Sequence, residues 1–223
     1  MFPFCARDKL LSVSTRTHVA KRRNTRQALL EAALLRMDAG ESFDALSLRS
    51  VARAAGVVPT AFYRHFASMD ELGLVLVEES FRTLRAMLRE ARTGAPPTDM
   101  VKRSVEILVE HVRAHREHFA FVARVRASSH EVLRRAIRNE IKLFTSELAT
   151  DLARFPALRE WTTEDLHMLA GLMVNTMIAT VEAMLDVPTV AAPDAEAEIV
   201  RVAEKQLRLM LLGVPAWRPG ERG

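Results

Sequence analysis

Apolar residues recur along almost the whole chain at intervals of three and four residues, the period of an amphipathic α-helix. Gly, Pro and capping residues separate the segments that show this period, and β-branched residues do not form alternating runs. With only 8 Gly and 9 Pro among 223 residues, a large β-sandwich or barrel is disfavoured. The sequence therefore predicts an all-α fold of about nine helices.

The predicted helices fall into a short N-terminal group and a longer group that follows it. A first helix is expected at about Val19–Met37, and two short helices, at about 47–55 and 59–66, lie on either side of Gly56. Longer helices are predicted to begin at the capping residues Ser68, Thr98, Ser128 and Thr162, with a shorter helix at about 117–127 and a last one that ends near Gly213. The predicted organisation is a basic leader at 1–18, one domain at 19–67, a second at 68–214 and a tail at 215–223.

Positive charge is concentrated at one end of the chain. Residues 1–70 contain 11 Lys/Arg and 6 Asp/Glu, whereas the remaining residues contain 21 and 22, and the formal net charge is +4. Such asymmetry favours a polyanionic partner for the N-terminal third. It does not say which polyanion.

Several classes of protein are disfavoured. No apolar run approaches the roughly 20 residues that span a bilayer, so no membrane association is expected. Cys5 is the only cysteine, and residues 1–16 lack the apolar core of a signal peptide, so a reducing cytoplasm is the expected location. No nucleophile elbow, P-loop, dinucleotide fingerprint or zinc-protease motif is present, and neither a catalytic residue nor a bound cofactor is predicted.

The segment from Leu46 to Phe66 carries the most specific pattern, LSLRSVARAAGVVPTAFYRHF. Two short helices separated by a tight glycine turn have the spacing of a helix-turn-helix, whose second helix enters the major groove of DNA. The alternative is an ordinary corner between helices in an all-α protein. The basic charge nearby and the capping box that follows at Ser68–Glu71 favour the DNA-binding interpretation.

The run SLRSVARAAGVVPTAFYRHFASMDEL, within Phe43–Leu72, resembles the DNA-binding domain of TetR-family transcriptional regulators. The resemblance covers about thirty residues, and the rest of the chain agrees only in length and helix count. It departs from the family pattern at Met69, where a lysine that contacts phosphate is frequent. A narrower similarity, in VPTAFYRHFASMDELG followed by LVLVEES, is to the proteobacterial repressors of unsaturated fatty acid synthesis and desaturation.

This resemblance implies roles for individual residues toward double-stranded DNA. Tyr63 and His65 are expected to contact backbone phosphates, Thr60 a phosphate or a base edge, Ala61 a thymine methyl and Arg49 a guanine edge. Arg26 and the cluster Lys21–Arg23 would lie along the backbone or enter the minor groove, although a solvated basic helix start is the alternative for that cluster. The complete predicted set is Lys21, Arg22, Arg23, Arg26, Ser47, Arg49, Pro59, Thr60, Ala61, Tyr63, Arg64 and His65.

The narrower resemblance implies an effector, a long-chain acyl-CoA held between the fourth, fifth, seventh and eighth helices. The predicted lining comes from apolar stripes that face one interior: Phe81, Leu84, Leu88, Leu108, Phe119, Val122, Phe144, Leu148, Met173 and Met177. The same stripes also fit an ordinary core, because pocket and core look alike in sequence. An arginine cluster at Arg124, Arg126, Arg134, Arg135 and Arg138 is either a solvated face or a site for the nucleotide phosphates.

Two further features concern assembly and metal binding. The helix 163–185 is apolar nearly all round, and the last helix carries a second apolar stripe, so we expect a homodimer that buries both in a four-helix bundle. Two-fold symmetry would then require a pseudo-palindromic operator. His111, His115 and His118 share one side of a helix, but a solvent or pocket-rim location is favoured over a metal site.

The predicted function is ligand-responsive repression of transcription, in particular of genes of fatty acid synthesis or desaturation. One alternative is a TetR-type repressor of an efflux or catabolic operon that senses another hydrophobic molecule. An alternative of a different class is a helical lipid carrier that does not bind DNA.

Overall fold

The structure is a computed structural model that describes residues 25–91, 100–187 and 193–218, except the side chains of Leu88, Arg89, Ala91 and Pro193. Within these ranges the chain forms α-helices and three short 3-10 helices but no strand, which confirms the predicted all-α class. The helices are α1 (25–38), α2 (Leu48–Ala54), α3 (Pro59–Phe62), α4 (Met69–Ala91), α5 (Met100–Ala114), α6 (Arg116–Arg126), α7 (Glu131–Leu152), α8 (Thr163–Asp186) and α9 (Pro193–Gly213).

The chain divides into two compact units after Leu76. The sequence places this boundary at 67/68, in front of α4, whereas the division lies about two turns inside that helix. The first turns of α4 therefore belong to the N-terminal unit and the remaining turns to the C-terminal unit.

Two glycines with positive φ end the first two helices of the N-terminal unit. Gly40 (φ 108°) follows α1 and Gly56 (φ 68°) follows α2, conformations that glycine adopts without steric cost. After α2, Val57 N–H donates to the Ala52 carbonyl and Gly56 N–H to the Arg53 carbonyl, the paired bonds of a Schellman motif. This turn fixes the direction in which the chain enters α3.

The C-terminal unit is built around α8, which packs most extensively against α7 and α9. One buried cluster contains side chains from each of the six helices from α4 through α9, among them Met87, Leu108, Phe144, Val174 and Leu207. A second cluster covers the other end of α8, where Leu152, Leu166 and Val214 are buried. These two clusters account for most of the apolar stripes that the sequence shows after residue 80.

The predicted helix starts are confirmed at two positions and wrong at a third. Ser68 and Thr162 accept hydrogen bonds from the N–H groups three residues on, at Glu71 and Asp165, as helix-capping residues do. Ser128 does not begin α7, because its hydroxyl donates to the Val125 carbonyl at the end of α6 and accepts from His130 N–H. The predicted Thr98 cap lies outside the described residues.

The expectation that no segment is apolar enough to span a bilayer is wrong for one helix. Among the described residues, α8 is long and apolar enough to do so by length and composition, although a core helix passes the same test. Its contacts with α7 and α9 place it within the fold of the C-terminal unit. An uninterrupted apolar run is not visible in the sequence of α8, because Glu164, Asp165 and His167 lie in its first turns.

Candidate nucleic-acid interface and effector cavity

The helices α2 and α3 pack against each other through a small buried core. Val51 and Ala52 of α2 and Phe62 of α3 are fully buried, and the Phe62 and Phe66 rings lie 5.5 Å apart. Reciprocal hydrogen bonds at the start of α2 join Ser47 and Ser50, each side chain accepting from the N–H of the other residue. The predicted site residue Ser47 is thus also a cap that holds α2 in place.

The second helix of the motif presents its predicted contact residues to solvent. Pro59, Thr60 and Arg64 are exposed, and Tyr63 has 65% of its surface exposed even though its ring touches Phe62 edge-on. Ala61 and His65 are half-buried. This exposure leaves the Tyr63 side chain accessible to another molecule.

The α3 helix is shorter than the sequence predicts. It ends at Phe62 instead of residue 66, and Tyr63 to His65 form a turn in which the N–H groups of Arg64 and His65 donate to carbonyls three residues back. The tighter turn brings Phe66 into the core beside Phe62. Tyr63 and His65 therefore lie just after the helix, and their predicted position one turn inside it is wrong.

The cations of the predicted interface have different surroundings. Arg49 is exposed at the start of α2. The guanidinium carbon of Arg26 lies 5.5 Å from the centre of the Phe66 ring, a cation–π distance that ties it to the core of this unit. Lys21, Arg22 and Arg23 lie outside the described residues. The orientation of Arg26 toward DNA stays a prediction.

A cavity of about 60 Å³ lies inside the C-terminal unit. Seven of the predicted ligand-binding residues line it: Phe81, Leu84, Leu108, Phe119, Val122, Phe144 and Met177. The prediction that Leu148 and Met173 line the cavity is wrong. Both pack against the two buried clusters and are not among the described lining residues. The side chain of Leu88, the remaining predicted residue, lies outside the part of the chain that the structure describes.

Sequence reasoning missed part of the lining. The cavity is also lined by Met87, Ala123, Arg126, Ile141, Val174, Ile178, Val181 and Glu182. A signal was present on α6, where Phe119, Val122, Ala123 and Arg126 follow one another at i, i+3, i+4 and i+7. The arginine cluster that the sequence predicts as either a solvated face or a phosphate site therefore contains one residue, Arg126, that lines the cavity.

The arginine cluster is largely paired within the C-terminal unit. Arg126 Nη2 donates to Glu182 Oε1 at 2.5 Å, and Arg134 and Arg138 both donate to Glu131. Hydrogen bonds from Arg134 and then Arg138 lower the pKa of Glu131 below its ordinary value. The proposed role of this cluster toward nucleotide phosphates would require these ion pairs to open.

The three histidines do not converge on one point. His111 Nδ1 is bonded to the Ile107 carbonyl, His118 Nδ1 to the Ser80 hydroxyl at 2.9 Å, and neighbouring ring centres are 6.1 and 6.4 Å apart. In the described parts of the chain, no group of three His, Cys, Asp or Glu side chains has a geometry suited to a metal ion. Burial lowers the pKa of His118 below 6.5.

Apolar side chains remain exposed along α8 and α9. Met168 and Leu172 lie on successive turns of α8, and Val202, Leu209 and Leu212 are exposed on α9, the last with 75% of its surface accessible. Exposed apolar residues in this number on two adjacent helices are typical of an interface with another chain.

Comparison with known proteins identifies the N-terminal unit. Residues 29–74 match the profile of bacterial regulatory proteins of the tetR family. The matched segment contains α2, α3 and the Gly56 turn, and most of α1.

Solved structures resemble the chain over most of its length. The fatty acid degradation regulator FadR from Bacillus halodurans has a TM-score of 0.66 at 16% identity, covering 85% of this chain and 95% of that one. GusR from Salmonella enterica has a TM-score of 0.65 at 22% identity, covering 86% and 96%. A transcriptional regulator from Rhodococcus sp. RHA1 has a TM-score of 0.64 at 20% identity, covering 88% and 99%. At these identities the likeness shows the fold alone.

The profile match falls on the segment whose helices, caps and exposed residues form the helix-turn-helix, and the helical C-terminal unit follows it as in the solved regulators. Members of this family act by binding DNA and are not enzymes. Residues 29–74 accordingly carry a DNA-binding segment of the tetR type, and the chain as a whole shares the fold of the solved regulators.

Proposed function

We propose that the chain represses genes of fatty acid synthesis or desaturation in the cytoplasm and that a long-chain acyl-CoA regulates its binding to DNA. The observation that carries the proposal is the cavity, whose described lining is apolar except for Arg126 and Glu182. An apolar lining of this kind favours an apolar effector over a polar one. The structural likeness to a fatty acid degradation regulator supports a lipid among such effectors.

The size of the cavity supports a role in switching. Sites for small molecules commonly have volumes of about 300–1,000 Å³, so a cavity of about 60 Å³ is small for an effector. A long acyl chain enters only if the lining helices move apart. The ligand then binds the expanded state better than the closed one, and this difference in affinity is what shifts an equilibrium between conformations.

The helix α4 offers a route from the cavity to the DNA-binding unit. Phe81, Leu84 and Met87 of α4 line the cavity, and the first turns of the same helix belong to the N-terminal unit. In a homodimer the two recognition helices must be separated by about one turn of DNA, roughly 34–36 Å. A displacement of α4 of one or two ångströms would change that separation and so the affinity for a pseudo-palindromic operator.

The test is a titration of operator binding, measured by fluorescence anisotropy on DNA from the chain's own promoter region. Palmitoyl-CoA or oleoyl-CoA should change the affinity of the native protein at least tenfold. Ala123→Phe, which fills the cavity from α6, should bind the operator normally but lose this response. The matched control is Ala86→Phe, at an exposed position on α4, which should respond like the native protein.

The alternatives give different results in the same assay. If neither thioester changes operator affinity while another apolar compound does, the lipid assignment is wrong and a repressor of an efflux or catabolic operon is favoured. If no promoter fragment is bound above random DNA, the carrier without DNA binding is favoured.

A further inference from the structure

The cavity has one polar end. Its described lining contains only two charged side chains, Arg126 at the end of α6 and Glu182 in the last turns of α8, and these two bond to each other. Their side chains are 36% and 43% exposed, so the pair stands where the cavity meets solvent. The remaining described lining residues are apolar.

This arrangement limits where a ligand can carry its polar atoms. A polar group placed among Phe81, Leu108 and Phe144 would lose its water and find no hydrogen-bond partner in the apolar lining, which is unfavourable. The same group placed beside Arg126 and Glu182 keeps both water and protein partners. A ligand that suits the cavity is therefore an amphiphile with one apolar tail and one polar head.

Arginine side chains near the polar end favour an anionic head. Two guanidinium groups reach the last turns of α8 from opposite ends of α6: Arg126 donates to Glu182 and Arg116 donates to the Leu185 carbonyl. Arg116 thereby satisfies a carbonyl at the helix end, and Arg126 is held by a single carboxylate. An arginine presents five N–H donors in a planar fork, a geometry that matches carboxylate or phosphate oxygens.

We propose that the effector is an amphiphile with an anionic head and that Arg126 receives this head by exchanging Glu182 for it. Glu182 is the more exposed partner, so its carboxylate returns to water when the ligand arrives. A cationic head would instead face the guanidinium group and would have to remove Glu182 from it. This inference rests on the proposed function, because it takes the cavity to be the effector site.

The experiment uses three ten-carbon probes that differ only in the head: decanoate, 1-decanol and decylamine. Their affinities for the full-length native protein are measured by isothermal titration calorimetry at pH 7.5. We expect decanoate to bind at least tenfold more tightly than decanol, and decylamine to bind least tightly. Equal affinities for the three probes, or tightest binding of decylamine, would overturn the proposal.

Two variants test the exchange itself. Arg126→Gln should reduce decanoate affinity to that of decanol and leave decanol binding within twofold. Glu182→Gln should tighten decanoate binding about threefold or more, because it removes the competing carboxylate, and a weakening would contradict the exchange. If Arg126→Gln fails to fold, the change in decanoate affinity of Glu182→Gln decides whether the exchange occurs. Arg208→Gln, which loses an exposed ion pair with Glu204 elsewhere on the unit, is the control and should change neither affinity.

Decanoyl-CoA distinguishes the two sources of the anion. If the head is the carboxylate of a free fatty acid, Arg126→Gln weakens the binding of decanoate and leaves the binding of decanoyl-CoA unchanged. If Arg126 also receives a phosphate of the CoA moiety, the variant weakens the binding of both. Failure of the proposed function is separate from failure of this inference. Selective binding of decanoate with no change in operator affinity would remove the effector role but support the anionic head, while absence of binding by every probe would overturn both.

Discussion

Among the predicted DNA contacts, Tyr63 has surroundings that allow the clearest test. Its side chain is 65% exposed, and its ring meets the Phe62 ring edge-on. Tyr63→Phe should weaken DNA binding by roughly 1 kcal/mol, because one hydrogen bond to phosphate is lost. The loss should be the same on operator and random DNA, as measured by anisotropy at several salt concentrations.

Comparison with neighbouring residues shows whether this orientation is correct. Ala61→Ser should change the preference among operator sequences more than the overall affinity. His65→Ala is a less suitable test, because His65 is half-buried and has a partner within the protein, so its loss also affects folding. Unchanged affinity of Tyr63→Phe, with an intact circular dichroism spectrum, would show that this surface does not face the phosphates.

His118 should make the stability of the protein depend on pH. Burial lowers its pKa in the folded state below 6.5, so the unfolded chain binds more protons in the interval between the two pKa values. The free energy of unfolding should therefore fall as the pH drops below about 6.5 and should level off below the folded pKa. Urea denaturation between pH 8 and pH 5 measures this dependence.

The bond to the hydroxyl of buried Ser80 makes His118 distinguishable from the other histidines. His118→Gln should reduce the loss of stability on acidification relative to the native protein. His167→Gln, at an exposed position on α8, should leave the native dependence unchanged. If both variants retain the full dependence, another group is responsible for it.

Among the helices, α4 is tied to α7 by one arginine. Arg85 donates to Glu140 at 2.6 Å and to Glu147 at 3.1 Å, and although burial opposes it, these two bonds raise the pKa of Arg85. The cavity residues Ile141 and Phe144 lie between the two carboxylates along α7. Arg85 is therefore placed where movement of α4 away from α7 must stretch both bonds.

Arg85→Met should lower the free energy of unfolding by roughly 1–2 kcal/mol, a value reduced from that of fully buried pairs because the side chain is about one quarter exposed. The measurement is urea denaturation at low and high salt, and the difference should shrink at high salt. Arg82→Met removes an exposed pair with Glu78 on the same helix and should cost less than about 0.5 kcal/mol. Equal losses for the two variants would mean that the Arg85 pairs contribute no more than surface charges.

The helices of the N-terminal unit are predicted from sequence better than the cavity. The signals at Ser47, Gly56 and Pro59 are local, since each acts on the hydrogen bonds of its own turn. The early end of α3 at Phe62 is not local, because it depends on Phe66 reaching the core. Tertiary packing decided that boundary.

Only part of the cavity lining can be predicted from sequence, because the lining has the same apolar period as the core. Leu148 and Met173 lie on helices that line the cavity but pack between the buried clusters. Sequence gives the face of each helix, whereas the distance between helices decides whether a side chain meets a neighbour or a cavity. For Arg126, the apolar stripe on α6 is the sequence signal that places it at the cavity.

The assembly of two chains is the expectation that concerns the whole molecule. Met168 and Leu172 on α8 and Leu209 and Leu212 on α9 remain exposed in the single chain. Burial of large apolar side chains contributes about 1.5–3 kcal/mol each, so their pairing across a two-fold axis favours a homodimer. Leu172→Glu combined with Leu209→Glu should give a monomer, measured by multi-angle light scattering at micromolar concentration.

The control for this prediction is an exposed leucine on another helix. Leu143→Glu alters α7, where Leu143 is 54% exposed, and should leave the dimer intact. The monomeric variant should also lose operator affinity, because one recognition helix reads only one half-site. A native protein that is monomeric at micromolar concentration would contradict the proposed interface.

The apolar character of α8 has a consequence for how the chain is made. When the ribosome has completed α8 at Asp186, α9 and a second subunit are not yet there to cover it. The helix that is apolar enough for a bilayer is therefore among the last to gain its partners, and we expect it to be the segment that chaperones bind when folding is slow.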